Sequence, residues 1–128
     1  MCGILLILSK KKKLSSEKCL KAFDLIHNRG PDLSLKNFFF KKKLFIGNSI
    51  LKVNGINFQK DNLYNYKKNY ISYNGEIYNH KYLDRKFLKE KQSNDTLTLL
   101  KILTNYNSLN ICKKLDGMYA FVKFNSLT

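Results

Sequence analysis

The sequence predicts a mixed fold of strands and helices. Short apolar runs rich in β-branched and aromatic residues alternate in blocks with stretches of helical spacing, and no internal repeat or interdomain linker breaks the series. The alternation points to an α/β arrangement without fixing the order of its elements. At 128 residues the chain can bury one core, so it reads as a single domain or part of one.

Gly3 to Leu8 has the length and composition of a buried strand, which sets Cys2 at a sheet end. After a charged turn at Lys10 to Lys13, Ser15-Ser16-Glu17 caps an amphipathic helix carrying Leu20, Phe23, Leu25 and Ile26. The helix stops before Asn28-Arg29-Gly30-Pro31-Asp32, because Gly and Pro disfavour its continuation. Phe38 to Phe40 and Leu44 to Val53 read as the strands of a hairpin around Lys41-Lys42-Lys43. Asn54-Gly55 signals a turn, and the Asn- and Lys-rich stretch to Lys68 a loop. Tyr70 to Tyr73 is a strand running into Asn74-Gly75. A helix is expected from Asn79 through Glu90, with Tyr82, Leu83 and Phe87 near helical spacing. Asn94-Asp95-Thr96 caps a further helix, Leu97 to Asn105, whose Leu99, Leu100 and Leu103 face the core. Leu109 to Lys114 is a short helix, Asp116-Gly117 a turn, and Met118 to Phe124 a final strand.

The formal net charge of +15 invites a nucleic-acid reading. The identity of the charges argues against it, since all but Arg29 and Arg85 of the 24 basic residues are lysine. The chain is also crowded with Asn, Ile, Tyr and Phe, whose codons are rich in A and T, so a biased genome composition would produce this solvated lysine surface without selection for phosphate. Arginine would be more prominent if bidentate phosphate or guanine contacts were the purpose. Cys2, Cys19 and Cys112 are odd in number and far apart, which fits neither a disulfide framework nor a zinc site, and no metal is expected. With no apolar run near the roughly 18 residues needed to span a bilayer, no membrane partner is expected and the location is read as cytoplasmic.

Singly, the motifs are ordinary. A cysteine near a terminus is usually core, Arg-Gly-Pro-Asp a tight turn, Asn-Gly a hairpin turn. Their order is not. Met1-Cys2-Gly3-Ile4, Arg29-Gly30-Pro31-Asp32, Tyr73-Asn74-Gly75-Glu76-Ile77-Tyr78-Asn79-His80, Asn94-Asp95-Thr96 and Leu115-Asp116-Gly117-Met118-Tyr119-Ala120-Phe121 together closely resemble the successive signatures of class II glutamine amidotransferases, above all the glutaminase domains of asparagine synthetases. The resemblance covers the whole chain. It implies an α+β fold, the αββα four-layer sandwich of N-terminal nucleophile hydrolases, with residues 1–128 forming a glutamine amidotransferase type 2 domain that is partial and incomplete at its C-terminal end.

The implied activity is hydrolysis of glutamine to glutamate and ammonia, with the ammonia passing to a synthetase domain or subunit that makes an amide, most simply asparagine from aspartate. Cys2 would be nucleophile and, through its own α-amine once Met1 is removed, its own base. A thiol near its free pKa of about 8.5 is mostly protonated at neutral pH, and a neutral amine of pKa near 8 can take that proton. The oxyanion of the tetrahedral intermediate needs preorganised donors. The resemblance assigns these to the Asn74 side chain and the Gly75 N–H, and assigns Asp95 to the substrate α-ammonium, with Glu76 shaping the same pocket. No cofactor is expected in this domain; ATP and magnesium would belong to the synthetase domain.

One departure concerns the substrate carboxylate, which the family holds with an Arg in a His-x-Arg-Leu segment. Here the corresponding Gly47-Asn48-Ser49-Ile50-Leu51 has no basic residue before Leu51. Lys52 and Arg29 are the candidates to compensate, although Lys52 would point away from Leu51 in a strand and Arg29 would brace the Gly30-Pro31 turn. The missing Arg and the stop at Thr128 motivate a rival, a catalytically degenerate domain kept for binding or assembly. A basic nucleic-acid-binding module is the remaining rival, favoured only by charge and aromatic content.

Overall fold

The computed structural model describes residues 2–51, 63–106 and 108–127. Its chain divides into two compact units, Met1–Leu63 and Tyr64–Thr128. Among the described residues each holds a three-stranded sheet in which every strand pairing is antiparallel. The fold is therefore α+β, and the α/β alternation inferred from the block pattern is corrected. The blocks alternate along the chain, with helices between some strands and hairpins between others, but every hydrogen-bonded pair of strands runs antiparallel.

In the first unit β1 (Gly3–Leu8) and β2 (Leu33–Phe39) flank β3 (Leu44–Ile50), which is buried along its whole length. Helix α1 (Ser16–Asp24) starts where Ser15 Oγ accepts the Lys18 N–H, and it buries Cys19 and Phe23. Phe23 crosses Gly47 so closely that a Cβ there would lie 2.1 Å from its ring, and it meets Phe45 edge to face. Leu20 and Leu25 do not join this core. Leu25 is 85% exposed, because α1 ends at Asp24 and leaves it past the last turn. The β2–β3 loop turns through Phe40, Lys41 and Lys42, all at positive φ, and β2 begins earlier than its phenylalanines indicate. The Asn54-Gly55 turn lies outside the described residues.

In the second unit β5 (Asn69–Ile77) is central, with β4 (Tyr64–Tyr66) on one side and β6 (Gly117–Asn125) on the other. Tyr64–Tyr66 is a strand where composition reads as loop. Its two-residue turn, Lys67-Lys68, has both φ angles positive, the conformation for which Asn-Gly is the usual signal. Asn74-Gly75 is no turn: β5 runs straight through it to Ile77, matched residue by residue with β6. Helix α2 (His80–Leu83) gives way to a wide turn at Asp84–Leu88, closed by the Lys89 N–H to Asp84 C=O bond and by Lys89 in the left-handed region. The Asp84 carboxylate accepts the Thr98 hydroxyl at 2.6 Å and the Gln92 N–H at 2.9 Å, and most of the helix expected from Asn79 through Glu90 is present, its second half wound as a π-helix. Helix α3 (Asp95–Asn105) lays Leu99, Leu100, Ile102 and Leu103 on Ile71 and Ile77 of β5, and the short α4 (Ser108–Cys112) adds Ile111.

Candidate functional site

Cys2 immediately precedes β1, and the register sets Gly3 opposite Ser49. Its Sγ receives the Leu51 N–H at 3.4 Å and lies 3.9 Å from the Leu51 carbonyl oxygen. Its own carbonyl accepts the Arg29 Nε–H at 3.3 Å. The turn His27–Arg29 and Gly30-Pro31 make this possible by running against the end of β3, where Pro31 bridges Ile50 and the Asp32 N–H donates to the Ile50 carbonyl. Gly30 is required by close approach, since a Cβ would sit 2.5 Å from Ile50 backbone atoms. The Arg-Gly-Pro-Asp motif thus tethers Cys2. Arg29 reaches Cys2 itself rather than bracing the Gly30-Pro31 turn, a contact between residues 27 apart that sequence spacing does not reveal. Ile50, just before Leu51, is an apolar residue only 5% exposed. Lys52, the other candidate for the substrate carboxylate, lies outside the described residues.

Asn74, Gly75, Glu76 and Asp95 all belong to the second unit. Along β5 the side chains alternate: Tyr73 and Ile77 pack on the α3 side, and Asn74 and Glu76 turn to the other face beside Ala120 and Met118. That face is exposed at Glu76, Ala120 and Met118, the last 74% exposed, whereas Ser72 farther along it is buried.

The hydrogen-bond phase of β5 decides where Gly75 points. The Tyr78 N–H donates to the Asp116 carbonyl, so Tyr78 and Asp116 form a hydrogen-bonded pair. In an antiparallel ladder such pairs alternate, which makes Glu76/Met118 and Asn74/Ala120 bonded and turns the N–H groups of Tyr73, Gly75 and Ile77 away from β6. Among the described residues β4 pairs on that other edge only as far as Ile71, so Gly75, itself exposed, turns its N–H to an edge that none of them pairs. Gly75 has φ +144°, and a Cβ would lie 2.2 Å from the Met118 carbonyl oxygen. No other residue fits there.

Asp95 meets the same edge. Asn94 caps α3, its Oδ1 accepting the Leu97 N–H at 2.9 Å, and this frees Asp95 from capping. Asp95 Oδ2 instead accepts the Ile77 N–H at 3.0 Å and the Tyr73 O–H at 2.7 Å. Burial, then the bond to Asp95, pushes the Tyr73 phenol well above the ordinary tyrosine range, so it stays a donor. Burial also raises the Tyr64 phenol beside it. Gly75 and Ile77 are two residues apart, roughly 6.5–7 Å along a strand. That is close to the reach of glutamine from amide oxygen to α-nitrogen, about 5–6 Å with bonds near 1.5 Å.

The rest of the central motif is scaffold. Asn79 donates through Nδ2 to the Lys114 carbonyl at 2.9 Å and accepts the Asp116 N–H at 3.2 Å, pinning the turn that leads into β6. His80 Nδ1 lies 3.0 Å from the Ile77 carbonyl oxygen. A cleft of about 620 Å³ lies instead between Lys81, Asp84, Arg85, Lys89, Glu90 and Lys91, and it includes none of the residues assigned from sequence. Among the described residues no group of His, Cys, Asp or Glu is arranged to hold a metal ion, and no helix is long and apolar enough to cross a membrane.

Within its own unit Cys2 carries a backbone N–H on its sulfur, and within the other the edge of β5 carries a glycine N–H and a carboxylate, groups of the kind the resemblance expects of a domain that acts on amides. The class is borne out by comparison: residues 1–128 match the family described as glutamine amidotransferase domain, and the chain belongs to that family. It is 33% identical over 138 aligned residues to a probable asparagine synthetase (glutamine-hydrolyzing) of Acanthamoeba polyphaga mimivirus, covering 98% of this chain and 24% of that protein. It is 32% identical over 132 residues to the asparagine synthetases (glutamine-hydrolyzing) of Mesocricetus auratus and Rattus norvegicus, covering 95% of this chain and 22% of each. The chain therefore spans about a quarter of the length of the curated relatives it matches.

Proposed function

We propose that this domain hydrolyses glutamine to glutamate and ammonia with Cys2 as nucleophile, and that the ammonia serves amide synthesis by a synthetase domain or subunit, aspartate to asparagine being the simplest case. The observation that carries the reading is the open edge of β5, where the Gly75 N–H and the Asp95 carboxylate are spaced to suit the two ends of glutamine. In this reading the α-amine of Cys2, exposed by removal of Met1, takes the thiol proton. The sulfur attacks the side-chain amide carbon, the Asn74 amide and Gly75 N–H receive the oxyanion, and the amide nitrogen leaves protonated as ammonia. Water then hydrolyses the thioester and releases glutamate. Asp95 binds the substrate α-ammonium, and Glu76 borders the pocket. The fold belonging to this reading is the αββα sandwich of N-terminal nucleophile hydrolases, of which these two sheets with their helices supply part. ATP and magnesium belong to the acceptor domain, and the cytoplasm is the natural compartment for both.

The test is glutaminase activity of protein whose intact mass shows Met1 removed. Cys2→Ala should abolish it with the fold retained, and a glutamine analogue that alkylates thiols should label Cys2. Full activity in Cys2→Ala refutes the mechanism. A catalytically degenerate domain is the second reading, favoured by the buried, apolar Ile50 before Leu51. An inert Cys2 in processed protein would establish it.

A further inference from the structure

We propose that Tyr73 is a positioning residue for glutamine: by donating to Asp95 Oδ2 it holds the carboxylate so that Oδ1 is the oxygen turned to the substrate α-ammonium. This deepens the reading above and rests on it. Two donors converge on Oδ2, the Tyr73 hydroxyl at 2.7 Å and the Ile77 N–H at 3.0 Å. They come from different parts of β5, one from a side chain and one from the backbone, so together they fix both the position and the rotation of the carboxylate. With Oδ2 engaged twice, Oδ1 is the oxygen that neither bond occupies.

Tyr73 is suited to the task because it is itself held. Its ring packs on the cluster formed by Ile71, Ile77, Leu99 and Leu103, which leaves the hydroxyl little freedom. Burial and the carboxylate keep the phenol protonated, so the donor persists through the neutral range. A carboxylate anchored in this way loses little entropy on meeting an ammonium, whereas one at the start of a helix with no lateral donor would have to be ordered by the substrate. In the sequence Tyr73 is one more aromatic in a strand; only the bond to a residue 22 positions away distinguishes it.

Steady-state kinetics of the wild type and Tyr73→Phe, with glutamine and with 4-carbamoylbutanoate, its analogue lacking the α-amino group, test the proposal. Tyr73→Phe keeps the packed ring and removes only the donor. It should raise KM for glutamine roughly five- to twentyfold, a fraction of the value of one charged hydrogen bond because the bond lost is not to the substrate itself, with kcat within about twofold. The analogue has no ammonium to hold, so its KM should move by less than about twofold. Equal losses on both substrates would mark Tyr73 as merely structural and overturn the inference, as would an unchanged KM for glutamine in an active enzyme. A wild type that hydrolyses no glutamine overturns the underlying reading, and this inference with it. Thermal melts confirm folding, and Tyr73→Leu, which also lacks the hydroxyl, carries the same expectation should Tyr73→Phe not fold.

Discussion

Gly75→Ala separates scaffold from chemistry in β5. The glycine sits at φ +144°, and the added methyl would lie 2.2 Å from the Met118 carbonyl oxygen and 2.5 Å from Tyr119 Cα. Ordinary contact needs about 3.5 Å, so β5 and β6 would have to separate by on the order of 1 Å at this point. Neither atom is the end of a flexible side chain, so the cost cannot be met by a rotamer change. Strained backbone contributes about 1 to 3 kcal/mol and overpacking a similar amount, which gives about 2 to 5 kcal/mol in all. For a chain of this length that corresponds to a fall in Tm of roughly 8 to 20 °C. Urea unfolding analysed by linear extrapolation, with the slope checked for constancy, measures it. Asn74→Ala tests the chemistry instead: kcat should fall by about a hundredfold to a thousandfold if the amide is an oxyanion donor. A Gly75→Ala protein within about 0.5 kcal/mol of wild type would refute the packing argument.

Gly30→Ala should also destabilise by about 2 kcal/mol or more, because its methyl would meet the Ile50 backbone at 2.5 Å; the same melts measure it. Thr98→Val removes the 2.6 Å donor from the buried Asp84 carboxylate and should cost about 1.5 to 3 kcal/mol by urea unfolding, with little effect on KM. Replacing Lys67-Lys68 by Asn-Gly relieves two left-handed lysines and should stabilise by about 1 to 2 kcal/mol. The raised Tyr73 phenol makes a pH prediction. The folded state favours the protonated form, so its stabilising contribution is complete below the unfolded value near 10 and is lost progressively as pH rises above that. Unfolding free energies between pH 8 and 11 should therefore fall more steeply in wild type than in Tyr73→Phe.

The fold was legible where local pattern and tertiary demand agree. β1 and the core leucines of α3 follow from apolar runs and periodicity, and Ser15 and Asn94 cap the helices they precede. Where the reading failed, a distant contact overrode local preference. β4 has two tyrosines and a turn built from lysines, so neither the alternation nor the usual turn residues announce it; its pairing with β5 forms it. The helix expected from Asn79 through Glu90 forms over 80–88, but its second half widens to a π-helix from Asp84, whose carboxylate is held by Thr98, 14 residues on. Apart from the hairpin around Lys41-Lys42-Lys43, antiparallel pairing was not legible for the same reason, since composition does not state which strands meet.

The same distinction runs through the motifs that carry the family resemblance. A motif in sequence is a mixture of residues that would touch substrate and residues that hold them, and only geometry sorts the two. Asn79 and Asp116 belong to different motifs, yet one hydrogen bond joins them, which explains why the Asn-Gly-Glu and Leu-Asp-Gly segments occur together: the second supplies the strand against which the first is phased. Gly30 and Arg29 likewise act through packing and a backbone bond to Cys2. The Gly75 N–H, by contrast, acquires its outward aim from register alone, two residues from a carboxylate that a different motif contributes. That aim has no signature in residue type. It follows from the parity of a hydrogen-bond ladder, in which successive N–H groups of β5 alternate between its two edges, so a one-residue shift of β5 itself against β6 would turn the donor into the sheet and leave the sequence motif unchanged.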